Sequence, residues 1–248
     1  TITPLTTSTY TVTVTDGNNC TNSDNVVVNV NPLPTIYSND VFVCAGQEAS
    51  ISADGAGING TYKWSTSENT QSIKVRPFVS STYTVTGTDQ NACTNTSEVI
   101  VVVSPLPVSE AGPGKEICIG YQTSLTATGG GTYLWNTNQT LQIINVSPQI
   151  STTYTVTVGT GTGCTASDYV VVRVNPKPTA NAGNDLYICP DHNITLIATG
   201  ASTGGTYRWS SGETTSSLLK MPAVNTTYTV TVTDINGCTD NDEAHVFI

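Results

Sequence analysis

The sequence predicts an all-β protein, a tandem array of small β-sandwiches with Greek-key character. Three observations carry the prediction. Threonine supplies 45 and valine 27 of the 248 residues, so more than a quarter of the chain is β-branched residue that favours a pleated strand. Helix formers are scarce, with one methionine and 8 Lys plus Arg. Hydroxyl and apolar residues alternate with a period of two: Thr227, Thr229, Thr231 and Thr233 interleave with Tyr228, Val230 and Val232, the pattern of a half-buried antiparallel strand.

An internal repeat supports the same prediction. The Tyr-Thr-Val-Thr run begins at Tyr10, Tyr83, Tyr154 and Tyr228, with steps of 73, 71 and 74 residues, and the cysteines after it, Cys20, Cys93, Cys164 and Cys238, take the same steps. Trp64, Trp135 and Trp209 keep the register, as do the earlier cysteines Cys44, Cys118 and Cys189. Pro32-Leu33-Pro34, Pro105-Leu106-Pro107 and Pro176-Lys177-Pro178 close successive units. Proline donates nothing to a β-ladder and holds its neighbours extended, so these segments read as semi-rigid joints. The expected units are 1–34, the C-terminal half of a repeat, then complete repeats 35–107, 108–178 and 179–248.

Within a unit the expected elements follow in order. In the repeat 108–178, strands are expected at Ser124 to Thr128, Thr132 to Trp135 and Gln142 to Val146, separated by Gly and Asn. The Tyr-Thr-Val-Thr strand comes next. In the last unit it meets Asp234-Ile235-Asn236-Gly237 and then a run ending Val246-Phe247-Ile248, a hairpin with an Asn-Gly turn. Six or seven short strands in about 72 residues fit a small sandwich.

The seven cysteines follow the repeat. Each complete unit holds two, which predicts Cys44 with Cys93, Cys118 with Cys164 and Cys189 with Cys238, one disulfide per complete repeat. Cys20 is left over, and its partner is expected upstream of Thr1 in the other half of its unit. Loops of nearly fifty residues closed in this way contribute about 4 kcal/mol each in the chain-entropy model, and they imply an oxidising compartment. Two lone strands do not normally fold by themselves, so residues 1–34 are expected to be braced by the next unit or completed by another chain.

Ile117-Cys118-x-Gly120, Thr126-Ala127-Thr128-Gly129, Tyr133-Leu134-Trp135, Thr152 to Thr157 and Cys164-Thr165, together with the joint Asn175 to Pro178 and Asn181-Ala182-Gly183-Asn184-Asp185, resemble the Ig-like and PKD-like repeats of large Bacteroidetes surface proteins. The resemblance covers the whole chain. It implies Ig-like sandwiches in an elongated array and export to the bacterial cell surface by the type IX system, within a gliding or adhesion protein. One feature departs from true PKD units, whose acidic Gly-Asp-Gly turn after the tryptophan is here Ser65-Thr66-Ser67-Glu68 or Asn136-Thr137-Asn138-Gln139.

Composition excludes several functions. A net charge of −10 leaves no basic patch for nucleic acid. The longest apolar run, Val99 to Val103, is far short of a membrane span. His192 and His245 form no repeated constellation with Ser and Asp, so no enzyme is expected, and neither they nor the cysteine spacing suits zinc. Trp64, Trp135 and Trp209 suggest a sugar-stacking platform, but each shares a strand face with a tyrosine while the residue between varies from Lys to Leu to Arg, which reads as core. Tyr83, Tyr154 and Tyr228, with Tyr10, are expected to take a tyrosine-corner role, their hydroxyls capping a loop backbone. Asp234, Asn236, Asp240 and Asp242 offer the oxygen ligands calcium prefers, against which the third unit has Gly159-Thr160-Gly161-Thr162-Gly163 and no carboxylate at that turn. Asp40, Glu110, Glu116 and Asp185 near the joints form a second cation candidate. Thr9, Thr11, Thr13 and Thr15 read as solvent-facing strand residues and not as an ice-binding array, because only one such strand occurs per unit.

The resulting expectation is a structural and adhesive stalk segment of a multi-repeat surface adhesin, with neighbouring repeats as its principal partners and no cofactor beyond the calcium candidate. A glycan-binding accessory region of a secreted hydrolase, recognising surface glycans, is the first alternative. An extracellular filament subunit assembled through residues 1–34 is the second.

Overall fold

A computed structural model describes all 248 residues. The chain is all-β, and no helix is long and apolar enough to cross a membrane. It divides into two compact units, Thr1–Leu106 and Pro107–Ile248.

The first unit opens with a hairpin of β1 (Ser8–Thr15) and β2 (Thr21–Val28), a two-stranded sheet of its own. Val12, Val14 and Val26 on this hairpin are 58–64% exposed, whereas Val85, Val156 and Val230, the counterparts of Val12 in the complete repeats, are 0% exposed. The strands have the sandwich pattern without an opposing layer.

A complete repeat follows, with β3 (Tyr37–Ser38), β4 (Val41–Cys44), β5 (Ala49–Asp54), β6 (Thr61–Trp64), β7 (Ser72–Val75), β8 (Ser81–Thr88) and β9 (Thr94–Ser104). Its two sheets run in the order β3-β5-β7 and β4-β9-β8-β6. Every pairing is antiparallel except that of β4 with β9, where Val41 to Cys44 run alongside Val101 to Ser104. A first edge segment divided between two sheets, the second part parallel to the last strand, is an Ig-like sandwich arrangement. Ala49, Ile51 and Ala53 alternate inward from one sheet to meet Trp64, Val85, Val99 and Val101 from the other in a single core.

The second unit carries the same plan twice. Its first repeat has β10 (Lys115–Cys118), β11 (Thr123–Thr126), β12 (Thr132–Trp135), β13 (Ile143–Val146), β14 (Thr152–Gly159) and β15 (Thr165–Asn175), in sheets β11-β13 and β10-β15-β14-β12. Its second has β16 (Leu186–Tyr187), β17 (Ile194–Ile197), β18 (Thr206–Trp209), β19 (Ser217–Lys220), β20 (Thr226–Thr233) and β21 (Thr239–Phe247), in sheets β17-β19 and β16-β21-β20-β18. The first edge shrinks to single bridges, Glu110 with Thr128 and Asn181 with Thr199. Each repeat keeps a separate core around its tryptophan. β4, β10 and β16 carry no periodic signal in the sequence, because two to four residues are too short to display a period.

Glycine decides how the chain leaves each proline joint. A Cβ on Gly55, Gly129 or Gly200 would lie 1.9, 1.8 or 2.0 Å from the carbonyl oxygen of Thr35, Val108 or Thr179, and all three glycines have positive φ. Only glycine lets the entering segment cross so close to the end of its neighbouring strand.

The hairpin turn differs from the Asn-Gly turn that the sequence suggests. Asp234 N–H donates to the Cys238 carbonyl at 2.9 Å and Gly237 N–H to the Asp234 carbonyl at 3.1 Å. Gly237 has φ 80° and Asn236 is not in the left-handed region, so the loop is a three-residue turn closed by a left-handed residue. The Asp234 carboxylate accepts the N–H groups of Asn236 and Cys238, at 2.9 and 2.7 Å. This extra bonding favours the longer loop over a two-residue turn.

Candidate functional site

The cysteines take opposite ends of every repeat. The strand that carries the first cysteine runs parallel to the last strand and stops at its far end: Cys44 lies beside Ser104 and Cys118 beside Asn175. The second cysteine directly precedes that same last strand, at Cys93 before Thr94 and at Cys164 before Thr165. The eleven residues of β15 separate the two positions by about 36 Å at the usual strand rise. A disulfide requires Cα atoms roughly 4.4–6.8 Å apart, so no pairing inside one repeat is possible.

The bond forms across a joint instead. Cys118, at the end of β10, is bonded to Cys238, which precedes β21 in the next sandwich, with S–S 2.02 Å, Cα–Cα 5.5 Å and a sequence separation of 120. The expected pairs Cys44–Cys93, Cys118–Cys164 and Cys189–Cys238 are thereby overturned. Cys93 and Cys189 are free thiols, as is Cys20, while Cys44 and Cys164 are also disulfide-bonded. The chain leaves a repeat at the end of its last strand, where the first cysteine sits. It enters the next repeat at the pole that carries the hairpin. The Cys118–Cys238 bond therefore straps the exit pole of one sandwich to the entry pole of the one after it. The missed sequence signal was a short apolar run ending in cysteine, as in Val41-Phe42-Val43-Cys44 and Leu186-Tyr187-Ile188-Cys189, which marks an extended segment close to the joint.

Polar side chains reinforce the same poles. The Asp168 carboxylate accepts the Ala111 N–H at 2.8 Å, and this bond, with a second from the Tyr169 backbone, holds its carboxyl below the usual carboxylate range. The Asp242 and Asp240 carboxylates accept the N–H groups of Ala182 and Ala180, at 2.8 and 3.1 Å. Asp40 accepts the N–H of Ile100 and Asp185 that of His245, both at 2.8 Å. These acids pin the entering strand to the last strand.

Three of the calcium candidates take part in that backbone bonding. Asp234 is committed to its own turn, Asp240 and Asp242 to the entering segment, and no group of three or more His, Cys, Asp or Glu is placed to hold a metal ion. Asn236 donates to Asp234 and offers no separate ligand set. Glu110 accepts from Thr128 Oγ1 at 3.0 Å, while Glu116 stands on the exposed side of β10.

The aromatic residues form core. Trp64, Trp135 and Trp209 are 1–2% exposed, and each indole N–H donates to a carbonyl six residues on, of Thr70, Leu141 and Thr215. An indole so enclosed presents no face to a sugar. Tyr154 and Tyr228 are buried and Tyr83 half-buried, but their hydroxyls make no hydrogen bond within the chain. Loop capping falls to Tyr62 and Tyr207, whose hydroxyls accept the N–H of Ala56 and Ala201 at 3.3 and 3.4 Å. The capping hydroxyls stand on the strand that carries the tryptophan, six residues after the loop N–H that each accepts.

His192 contacts the Pro190 carbonyl and His245 the Thr227 hydroxyl, and neither is joined to a carboxylate through its ring. An open hollow on the repeat 108–178 is lined by Gly112, Gly114, Lys115, Glu116, Tyr169 and Arg173, which brings no nucleophile to a base. Glu213 is held by Lys220 and Ser211, which lower its carboxyl to about 2. Hydrogen bonds from Lys74 and Arg76 hold the Glu48 carboxyl below its ordinary value.

No protein-family model matches the chain, and no curated protein matches it in sequence. Among solved structures, the titin domains I67–I69 are similar at 10% identity and a TM-score of 0.38, over 88% of this chain and 99% of that one. The eight N-terminal Ig domains of Down syndrome cell adhesion molecule are similar at 12% and 0.35, over 97% of this chain and 38% of that one. A calcium-stabilised, ice-binding adhesin of an Antarctic bacterium is similar at 14% and 0.34, over 98% and 82%. All three scores lie below 0.5, and the chain's own strand order is what identifies it as tandem Ig-like sandwiches.

Proposed function

We propose that the chain is a structural and adhesive stalk segment of a multi-repeat surface adhesin, in which covalent joints between sandwiches set the spacing of a distant binding end. The observation that carries this reading is the Cys118–Cys238 bond from one repeat to the next. A disulfide inside a sandwich stabilises that sandwich alone. One that straps exit pole to entry pole restricts bending of the joint and transmits load past the fold. Disulfides also favour an oxidising, extracellular setting. A bacterial cell surface, with the gliding or attachment role and type IX export, belongs to the same proposal and rests on the sequence resemblance. Each repeat spans about 36 Å from pole to pole, and strapping such repeats in series would supply the length that a spacer requires.

Small-angle scattering of the oxidised chain tests the reading. A rod-like profile is expected, and the variant Cys118→Ser/Cys238→Ser is expected to scatter as a more flexible particle. A compact globule, or identical flexibility in the two proteins, would refute it. The glycan-binding alternative has no comparable observation behind it, since the three tryptophans are enclosed.

A further inference from the structure

Three thiols remain unbonded, and each occupies a position that is disulfide-bonded elsewhere in this chain. Cys189 is the counterpart of Cys118. The preceding residues Leu186 and Tyr187 run parallel to Val246 and Phe247 at the exit pole, as Lys115 to Cys118 run along Val172 to Asn175. Cys20 and Cys93 are counterparts of Cys238. All three follow the same closed turn, and their N–H groups donate to Asp16, Asp89 and Asp234 at 2.9, 2.8 and 2.7 Å. Cys189 and Cys20 are exposed.

We propose that Cys189 is a docking thiol for the hairpin cysteine of a further Ig-like repeat, a group that a second copy of this chain presents at Cys20 and Cys93. The proposal rests on the joint reading above and extends the same offset by one repeat. The two thiols become one disulfide, and the two protons and two electrons they lose reduce a small-molecule disulfide to two thiols, by exchange through a mixed disulfide. Exit and entry poles are different surfaces. Their contact is therefore heterologous and does not close on itself, so it builds open chains and not symmetric dimers.

The test uses the 248-residue chain as its own probe. It is incubated with oxidised glutathione, separated without reductant and mapped by mass spectrometry. A ladder of covalent multimers joined by Cys189–Cys20 or Cys189–Cys93 peptides is expected, and Cys189→Ser is expected to abolish it. Multimers joined by Cys189–Cys189 or by two hairpin cysteines, a ladder that survives Cys189→Ser, or no covalent multimer would each overturn the proposal. The same map separates the two levels of the argument. Loss of the Cys118–Cys238 peptide would refute the covalent joint itself, whereas its presence with Cys189 unpaired refutes only the docking thiol. On protein recovered from its source, a bond from Cys189 to a cysteine beyond Ile248 identifies a following repeat as the partner, and a bond to Cys20 or Cys93 identifies a second copy.

Discussion

Pulled from its ends, the unit Pro107–Ile248 should yield far less length oxidised than reduced. The 120-residue separation of Cys118 and Cys238 encloses most of both repeats in one covalent loop. At 3.3–3.6 Å per residue the bond withholds about 400 Å of contour. Pairing inside each repeat would enclose two loops of 46 and 49 residues and withhold only about 310–340 Å. Single-molecule force spectroscopy of this unit measures the difference directly, with Cys118→Ser/Cys238→Ser as the open reference. The discriminating variant is Cys189→Ser. It leaves the extension unchanged if the bond crosses the joint, and would add about 160 Å if Cys189 held Cys238. An oxidised unit that extends as far as the open reference, or a Cys189→Ser unit that extends beyond wild type, would refute the cross-joint bond and the mechanical role built on it.

Other outcomes follow from single side chains. Trp135→Ala removes the 1%-exposed centre of its repeat and should cost about 3–5 kcal/mol in denaturant unfolding, while Leu134→Ala at the solvent-facing neighbour should stay within about 0.5 kcal/mol. Gly129→Ala places a Cβ 1.8 Å from the Val108 carbonyl, so a loss above about 2 kcal/mol is expected, and an unchanged midpoint would contradict the close crossing. Asp234→Ala strips two N–H groups of their acceptor and should cost about 1–2 kcal/mol. Asp234→Thr should recover part of this, since Thr160 Oγ1 accepts the Cys164 N–H in the same position. Millimolar calcium should leave the melting temperature of wild type unchanged, and a clear rise would show that these carboxylates hold a cation. The Glu213 carboxyl is lowered from 4.5 to about 2. Its contribution is complete above pH 4.5 and fades as pH falls toward about 2, so Lys220→Met should flatten acid unfolding across that window.

How much was legible in the sequence can be judged residue by residue. The alternation from Thr226 to Thr233 placed β20, because the period of two is a local property of a strand with one face in the core. The enclosed tryptophans were readable from Tyr-x-Trp spacing for the same reason. Calcium ligation was not decidable from Asp234, Asp240 and Asp242, since a carboxylate that binds an ion and one that accepts backbone N–H groups are the same residue in a sequence. The capping bond expected of Tyr83, Tyr154 and Tyr228 is made by Tyr62 and Tyr207, because which hydroxyl reaches a loop depends on how two strands cross.

The cysteines mark the boundary most clearly. By itself the sequence determined the repeat, its period, its β-structure and the recurrence of two cysteine positions, all of which are matters of spacing along the chain. It did not reveal that those positions stand at opposite poles. That depends on β10 lying parallel to β15 and stopping at its far end, a pairing of residues more than fifty apart in the chain. Two residues equally placed in every repeat look like partners on paper. In the folded sandwich the length of one strand keeps them apart, and the joint between the last two sandwiches brings Cys118 within bonding distance of Cys238.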